Sequence, residues 1–492
     1  MEQLSNANTL SLRFLNMKKT AVIKSISLFF LSILFILKIA VLSGCANIIP
    51  PTGGPRDSLP PILLKVTPPD SSKGFNAKTI TFTFDEYILQ PDNLADNLII
   101  TPTPAIMPLI ESRLKTLTVR IKDTLEPNTT YYYNFGKSIK DVNESNILEN
   151  FSYIFTTGDT FDTLQLAGKV ILAETGGIDT TMIVMLHRSE EDSAVIKERP
   201  RYIAKLDGKG NFRFVFLPAG RFYLYALKDE TGSRRYYNTE SLFAFADSAV
   251  EIKPDVPPAT LYAYATKKQQ QAPTVSFAGG NRAGGARADD KRLKYTTTVS
   301  AGSQDLLTDF SINFDQPLKN IDTTKIHLST DSSFVPITAS WQMDSLNKKL
   351  SMKIAWQEGT LYNLLLEQDF AEDSVGRMLL KPDTVRFTTK RLADYGSVRV
   401  TIGNLDLSKS PVLQFSQSER VVKAFPLTST EFYKQLFFPG EYSLSILYDD
   451  NKNGVWDPGD FFGARKQPEL VVPLEKKITI RADWENEFEI KL

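Results

Sequence analysis

Residues 79–86 read Thr-Ile-Thr-Phe-Thr-Phe-Asp-Glu, with an apolar side chain at every second position. Successive side chains of a strand point to opposite faces, so this alternation predicts a half-buried β-strand. Residues 310–316, Phe-Ser-Ile-Asn-Phe-Asp-Gln, alternate in the same way and carry the same Phe-Asp pair. Tyr153-Ile154-Phe155-Thr156-Thr157 has a counterpart in Val385-Arg386-Phe387-Thr388-Thr389. Pro127-Asn128-Thr129-Thr130-Tyr131 and Glu358-Gly359-Thr360-Leu361-Tyr362 each read as a turn leading into a strand. A second set of marks also recurs. Gly168-Lys169-Val170 parallels Gly396-Ser397-Val398, and Leu217-Pro218-Ala219-Gly220-Arg221-Phe222-Tyr223-Leu224 parallels Phe437-Phe438-Pro439-Gly440-Glu441-Tyr442-Ser443-Leu444. Asp229 and Asp449 follow Gly220 and Gly440 without a gap in register. A two-module unit therefore occurs twice. Short strands with turn signals every roughly 8–12 residues predict an all-β fold of tandem β-sandwich modules.

The marks divide the chain into a first module at 60–160, a second at 161–265, a linker at 266–291, a repeat of the first module at 292–391 and a repeat of the second at 394–492. The linker is rich in Gln, Gly, Ala and Lys and offers little to bury. Module one resembles the Ig-like domains of bacterial surface-layer proteins, through its Thr-Phe-Asp strand, its Pro-Asn-Thr-Thr-Tyr turn, Lys140-Asp141 and the closing Phe-Thr-Thr-Gly158. Module two resembles the carboxypeptidase-regulatory or prealbumin-like sandwich, through Gly-x-Val, Asp207-Gly208 before a Phe-rich strand, and Leu-Pro-Ala-Gly leading into the next.

The one long apolar stretch lies at the N-terminus. Lys18, Lys19 and Lys24 precede or open it, and residues 26–37 form an apolar core, which is the charge and hydropathy pattern of an export signal. Leu42-Ser43-Gly44-Cys45 follows and is similar to the bacterial lipobox. The resemblance to bacterial (Bacteroidetes-like) lipoproteins implies that residues 1–45 are a signal segment whose Cys45 is lipidated and becomes the first mature residue. An uncleaved membrane anchor is the alternative, although a span needs about 20 apolar residues and Lys38 interrupts this run. Met17 is a second candidate start. Residues 46–59 are Pro/Gly-rich and read as a tether.

Composition narrows the function. Lys plus Arg and Asp plus Glu both total 57, so the basic surplus of a nucleic-acid binder is absent. The single cysteine excludes an internal disulfide and a Cys-based metal cluster, and the two histidines, His187 and His327, have no partner at ligand spacing. Asp85-Glu86 and Glu190-Glu191-Asp192 are carboxylate clusters that solvated loops explain without catalysis. Tyr131-Tyr132-Tyr133 and Tyr236-Tyr237 can stack on sugars or alternate into a core.

One segment carries metal-ligand spacing. With Asp449 as position 1, oxygen side chains fall at positions 1, 3, 5, 9 and 12: Asp449, Asn451, Asn453, Asp457 and Asp460. Gly454 stands at position 6, and Val455 at position 7 would offer its carbonyl. Calcium takes six to eight hard oxygens in this spacing, here with Asp where a bidentate Glu is usual and with a strand rather than a helix leading in. A polar hairpin loop held by Asx turns is the other reading of the same residues. The first copy reads Asp229-Glu230-Thr231-Gly232-Ser233-Arg234-Arg235, so calcium is expected in the C-terminal copy alone. Together these features predict a non-enzymatic, outer-membrane lipoprotein on the periplasmic face or cell surface. It would act as a structural or interaction scaffold, held to the membrane by its N-terminal lipid, with a protein or glycan partner and no nucleic acid. A carbohydrate-binding or protease-linked accessory protein is the alternative, and an unrecognised hydrolase a third.

Overall fold

In the computed structural model, which describes residues 57–91, 97–266, 292–330 and 335–492, Thr79–Phe84 is a strand. Its Ile80, Phe82 and Phe84 are fully buried and its threonines face outward. It sits between Leu63–Thr67 and Thr116–Arg120, with Leu109–Arg113 on the outer edge, all antiparallel. A second sheet of Ile99–Thr101, Thr130–Gly136 and Phe151–Thr156 closes over it. Phe75, Phe82, Phe135, Tyr153 and Phe155 fill the space between as one cluster. Burying each such ring contributes about 1.5–3 kcal/mol, so this aromatic core alone makes a large share of the module's stability. Tyr131 and Tyr133 point into it, while Tyr132 packs on Phe216 of the next sandwich at 5.3 Å.

The second sandwich pairs a three-stranded sheet (Asn211–Leu217, Leu164–Leu172, Ala259–Ala263) with a sheet ordered Tyr202–Lys205, Ile183–His187, Gly220–Leu227, Phe243–Phe245. Val250–Ile252 adds to the start of Gly220–Leu227. The C-terminal sandwich has the same order: Glu431–Phe437, Gly396–Gly403, Glu485–Lys491 in one sheet, and Arg420–Pro426, Pro411–Gln417, Gly440–Tyr448, Leu470–Pro473 in the other, with Ile478–Ile480 added to Gly440. In each, the opening strand pairs in parallel with the closing one. The opening glycines of the two copies are sterically required. A Cβ at Gly168 would lie 2.1 Å from the Ala259 carbonyl oxygen, and one at Gly396 2.3 Å from that of Arg481.

Between them, the third sandwich stacks Tyr295–Thr297, Phe310–Phe314, Lys349–Lys353 and Ser340–Met343 on Ser303–Gln304, Asp383–Thr389, Leu361–Leu366 and Ile326–Ser329. Phe310, Tyr362, Phe370 and Phe387 centre its core.

A fifth apolar cluster belongs to no single sandwich. Met185, Tyr223, Tyr225, Phe243 and Phe245 of the second meet Val412, Leu447, Trp456, Phe461 and Val471 of the fourth. The Gly220–Leu227 strand is therefore covered on both faces. Residues 61–142 and 147–492 make one compact unit. In the smaller unit, Asp57 accepts the Leu59 N–H at 3.0 Å and, through its carbonyl, the Asn146 amide at 3.2 Å. Cys45 and the export segment lie outside the described residues, and among those that are described no helix is long and apolar enough to cross a membrane.

Candidate functional site

The Asp-rich segment leaves the sheet at Tyr448 and rejoins it at Leu470. Asp449, only 1% exposed, opens it. Its carboxylate accepts the N–H groups of Asn453 at 3.2 Å and Gly454 at 2.7 Å, which folds the chain back on itself. Gly454 has φ +81°, a conformation that costs glycine least. Asn451 Oδ1 accepts the Asn453 N–H at 3.0 Å, and Asn453 Oδ1 accepts the Val455 N–H at 2.8 Å. The side-chain amides of Asn451 and Asn453 both donate to one oxygen of Asp457. Four of the sequence-predicted ligands, Asp449, Asn451, Asn453 and Asp457, thus share one loop, with Val455 on its turn.

Asp460 is directed elsewhere. Its two oxygens accept the N–H groups of Gly463 and Ala464, each at 2.9 Å, and these bonds hold its pKa below the usual carboxylate value. Glu469 takes the place beside the loop. It is 2% exposed and accepts the Asp450 and Asp457 N–H groups, each at 3.0 Å. Burial, with the nearby charges of Asp449 and Asp457, raises its pKa. Sequence spacing missed Glu469 because it lies beyond the loop and arrives through the strand that follows. The only sequence signal was an acid at the head of the apolar Leu470-Val471-Val472 run.

The carboxylates of Asp449, Asp457 and Glu469 and the side-chain amides of Asn451 and Asn453 line this loop. Among the described residues no three Asp, Glu, His or Cys side chains converge as a metal-ligand group. A cation here would therefore also draw on the amide oxygens of Asn451 and Asn453 and the carbonyl of Val455. Trp456 anchors the loop from beneath, donating from Nε1 to the Glu469 carbonyl at 2.7 Å. In the first copy Asp229 accepts only the Arg234 N–H, at 2.7 Å, and the Thr231 hydroxyl, at 3.3 Å.

The rest of the segment binds the second sandwich. Arg465 forms an ion pair with Asp192, Gln467 donates to the Phe245 carbonyl at 3.0 Å and to Asp247 at 2.6 Å, and Val471 N–H donates to the Ala173 carbonyl at 2.8 Å. Among the other sequence candidates, Asp85, Tyr236 and His327 have structural partners. Asp85 accepts the Ile62 N–H at 2.7 Å. Tyr236 is buried, stacked on Phe243 with centroids 4.0 Å apart, while Tyr237 is exposed. His327 lies 2.7 Å from Glu367. His187 is buried at the end of its strand, and burial pulls its pKa down to about 4, so the imidazole is neutral.

A family model described as a bacterial Ig-like domain matches residues 57–157, the stretch that builds the first sandwich. No curated protein matches the chain. Among solved structures, the N-terminal part of the bacterial S-layer protein SbsC is similar at 17% identity and a TM-score of 0.15, over 43% of this chain and 45% of that one. This chain thus spans less than half of that relative. The Bacillus anthracis TIE protein is 10% identical over 89% of this chain and 75% of its own, with a TM-score of 0.16. BcpA, the major pilin subunit of Bacillus cereus, is 8% identical over 66% and 99%, also with a TM-score of 0.16. Likenesses this distant carry no argument about what the chain does.

Proposed function

We propose that this chain is a non-enzymatic scaffold of the bacterial cell envelope, anchored by a lipid on Cys45, with calcium stiffening the loop at Asp449. The observation that carries the reading is the four sandwiches in series, the first matching a bacterial Ig-like domain, with the second and fourth fused through a shared apolar cluster. Such an arrangement spaces and presents surfaces rigidly. The Pro/Gly-rich residues 46–59 hold the first sandwich off the bilayer. More than one acyl chain is what stable anchoring requires, and a lipobox cysteine supplies the attachment point.

Calcium would be held through Asp449, Asn451, Asn453, Val455 and Asp457, with Glu469 as the added carboxylate in place of Asp460, whose oxygens are turned to Gly463 and Ala464. Burial, and after it the charges of Asp449 and Asp457, raise Glu469, and an ion there would offset both. Two experiments test the reading. Palmitate labelling and fractionation of cells expressing the full chain should show a labelled membrane protein, and Cys45→Ala should be unlabelled and unprocessed. A mutant still processed and membrane-bound ends the anchor reading. Calorimetric titration of the full chain in detergent with calcium chloride should give saturable binding that Asp449→Ala removes. No heat and no rise in melting temperature at millimolar calcium leaves a polar turn in its place.

A further inference from the structure

The loop after Ile99–Thr101, the segment at Lys122 to Glu126 and the ends of the His187 and Arg201 segments enclose a cavity of about 440 Å³ between the first and second sandwiches. The two sandwiches are fastened there directly. Thr103 N–H donates to the Arg201 carbonyl at 2.8 Å, Glu126 is forked by the Arg201 guanidinium, and Arg199 donates to the Ala105 carbonyl at 3.4 Å. The walls are therefore fixed by both modules, and the volume lies within the range of small-molecule sites.

Its polar lining is unbalanced in two ways. Three lining residues, Thr103, His187 and Arg201, each carry a buried side-chain nitrogen or oxygen with no hydrogen-bond partner: Oγ1, Nε2 and Nε respectively. Buried polar atoms are nearly always satisfied, so three orphans in the walls of one cavity set this junction apart. The charges are unbalanced as well. Of the acids in the lining, Glu126 is taken by Arg201, and Asp123 is taken by the N–H groups of Ala105, Ile106 and Thr124. Glu198 is exposed on the rim. Arg188 and Arg199 have no carboxylate at ion-pair distance among the described residues.

We propose that this cavity binds a small ligand carrying an oxyanion, a carboxylate or a phosphoryl group. Arg188 and Arg199, both exposed on its lining, meet its charge. Guanidinium groups suit planar and tetrahedral oxyanions because their donors form a fixed fork. The apolar part of the wall, Pro102, Ile106 and Pro200 among it, would cover the remainder of the ligand. This inference is independent of the calcium loop and of the lipid anchor, and it adds a ligand to the scaffold.

The test is calorimetric titration of the full chain with sodium phosphate and, separately, sodium glucuronate at constant ionic strength, with glucose as the neutral control. Saturable binding of either anion, none of glucose, and about a tenfold loss of affinity in Arg188→Gln/Arg199→Gln support the site. Phosphate alone binding identifies a phosphoryl ligand, and glucuronate alone a carboxylate. Both arginines are exposed at the cavity mouth, so the double variant keeps the fold, which its melting temperature checks. No saturable signal from either anion, equal binding of glucose, or unchanged affinity in the double variant overturns the proposal.

Discussion

The second and fourth sandwiches share strand order, a parallel pairing of first and last strands, and a glycine that no other residue can replace at the opening strand. They differ at two places. The loop after the central strand runs from Lys228 to Leu242 in the second copy, where Asp229 closes a turn, and over the longer stretch from Asp449 to Glu469 in the fourth. The outer edge strand also differs. Tyr202–Lys205 is buried against the first sandwich, whereas Arg420–Pro426 is exposed along its length. Divergence has thus fallen where the modules meet something else. The inner cores, centred on Val184, Phe222 and Leu224 in one copy and Leu413, Tyr442 and Leu444 in the other, have kept their form.

The largest effect should come from breaking the contact the long loop makes. Phe461 is 3% exposed, with ring centroids 5.1 Å from Phe243, 5.0 Å from Phe245 and 5.7 Å from Tyr225. Phe461→Ala should cost about 3–5 kcal/mol by urea unfolding, through lost burial and the cavity left behind. A midpoint within error of the wild type would mean that the two sandwiches are not energetically joined there.

A second difference is chemical. Counting from the matched residues Leu224 and Leu444, His187 stands opposite Tyr223 and Ser416 stands opposite Ser443, so only the second copy titrates at this position. Burial lowers His187 from 6.5 to about 4, which disfavours its charged form in the fold. Between those values the unfolded chain binds more protons than the folded one. Stability is therefore fully present above pH 6.5 and is lost as pH falls toward 4, by up to about 3 kcal/mol. His187→Gln should flatten the stability curve across this window. An unchanged slope in the variant assigns the acid sensitivity to other groups.

Much of the fold was legible because its strands alternate. Ile80, Phe82 and Phe84 turned inward as their period of two requires, and Gly168 and Gly396 marked equivalent positions because both meet a backbone oxygen. The contact between the two copies was harder to read. Phe222-Tyr223-Leu224-Tyr225-Ala226-Leu227 has no polar position to mark an outer face, and an unbroken apolar run of this kind belongs to a strand buried on both sides. The loop at Asp449 was visible through its Asx spacing, since local hydrogen bonds follow local sequence. Glu469 was not, because its approach depends on the pairing of Leu470–Pro473 with Gly440–Tyr448. The cavity at Thr103 and Arg199 was likewise invisible, being made by two modules whose docking no local pattern records.

The smallest effect concerns the two edge strands. Val421 and Val422 are 52% and 43% exposed, so Val421→Lys removes little burial and should shift stability by less than about 0.5 kcal/mol. In the second copy Ile203, on the strand beside the first sandwich, is 6% exposed, and Ile203→Thr should cost about 1–3 kcal/mol by removing buried methyl groups and burying a hydroxyl. Equal, small effects at both sites would show that the first sandwich does not press on Tyr202–Lys205 in solution. Charge on the open strand has a further consequence, because an apolar strand with unpaired N–H and C=O groups is a template for another chain. Arg420 and Lys423 already stand on it, and Val421→Lys adds a third cation. Light scattering of concentrated protein should therefore show the variant as more monodisperse than the wild type, with its melting temperature unmoved. A variant that scatters light like the wild type would mean that the open edge does not promote association.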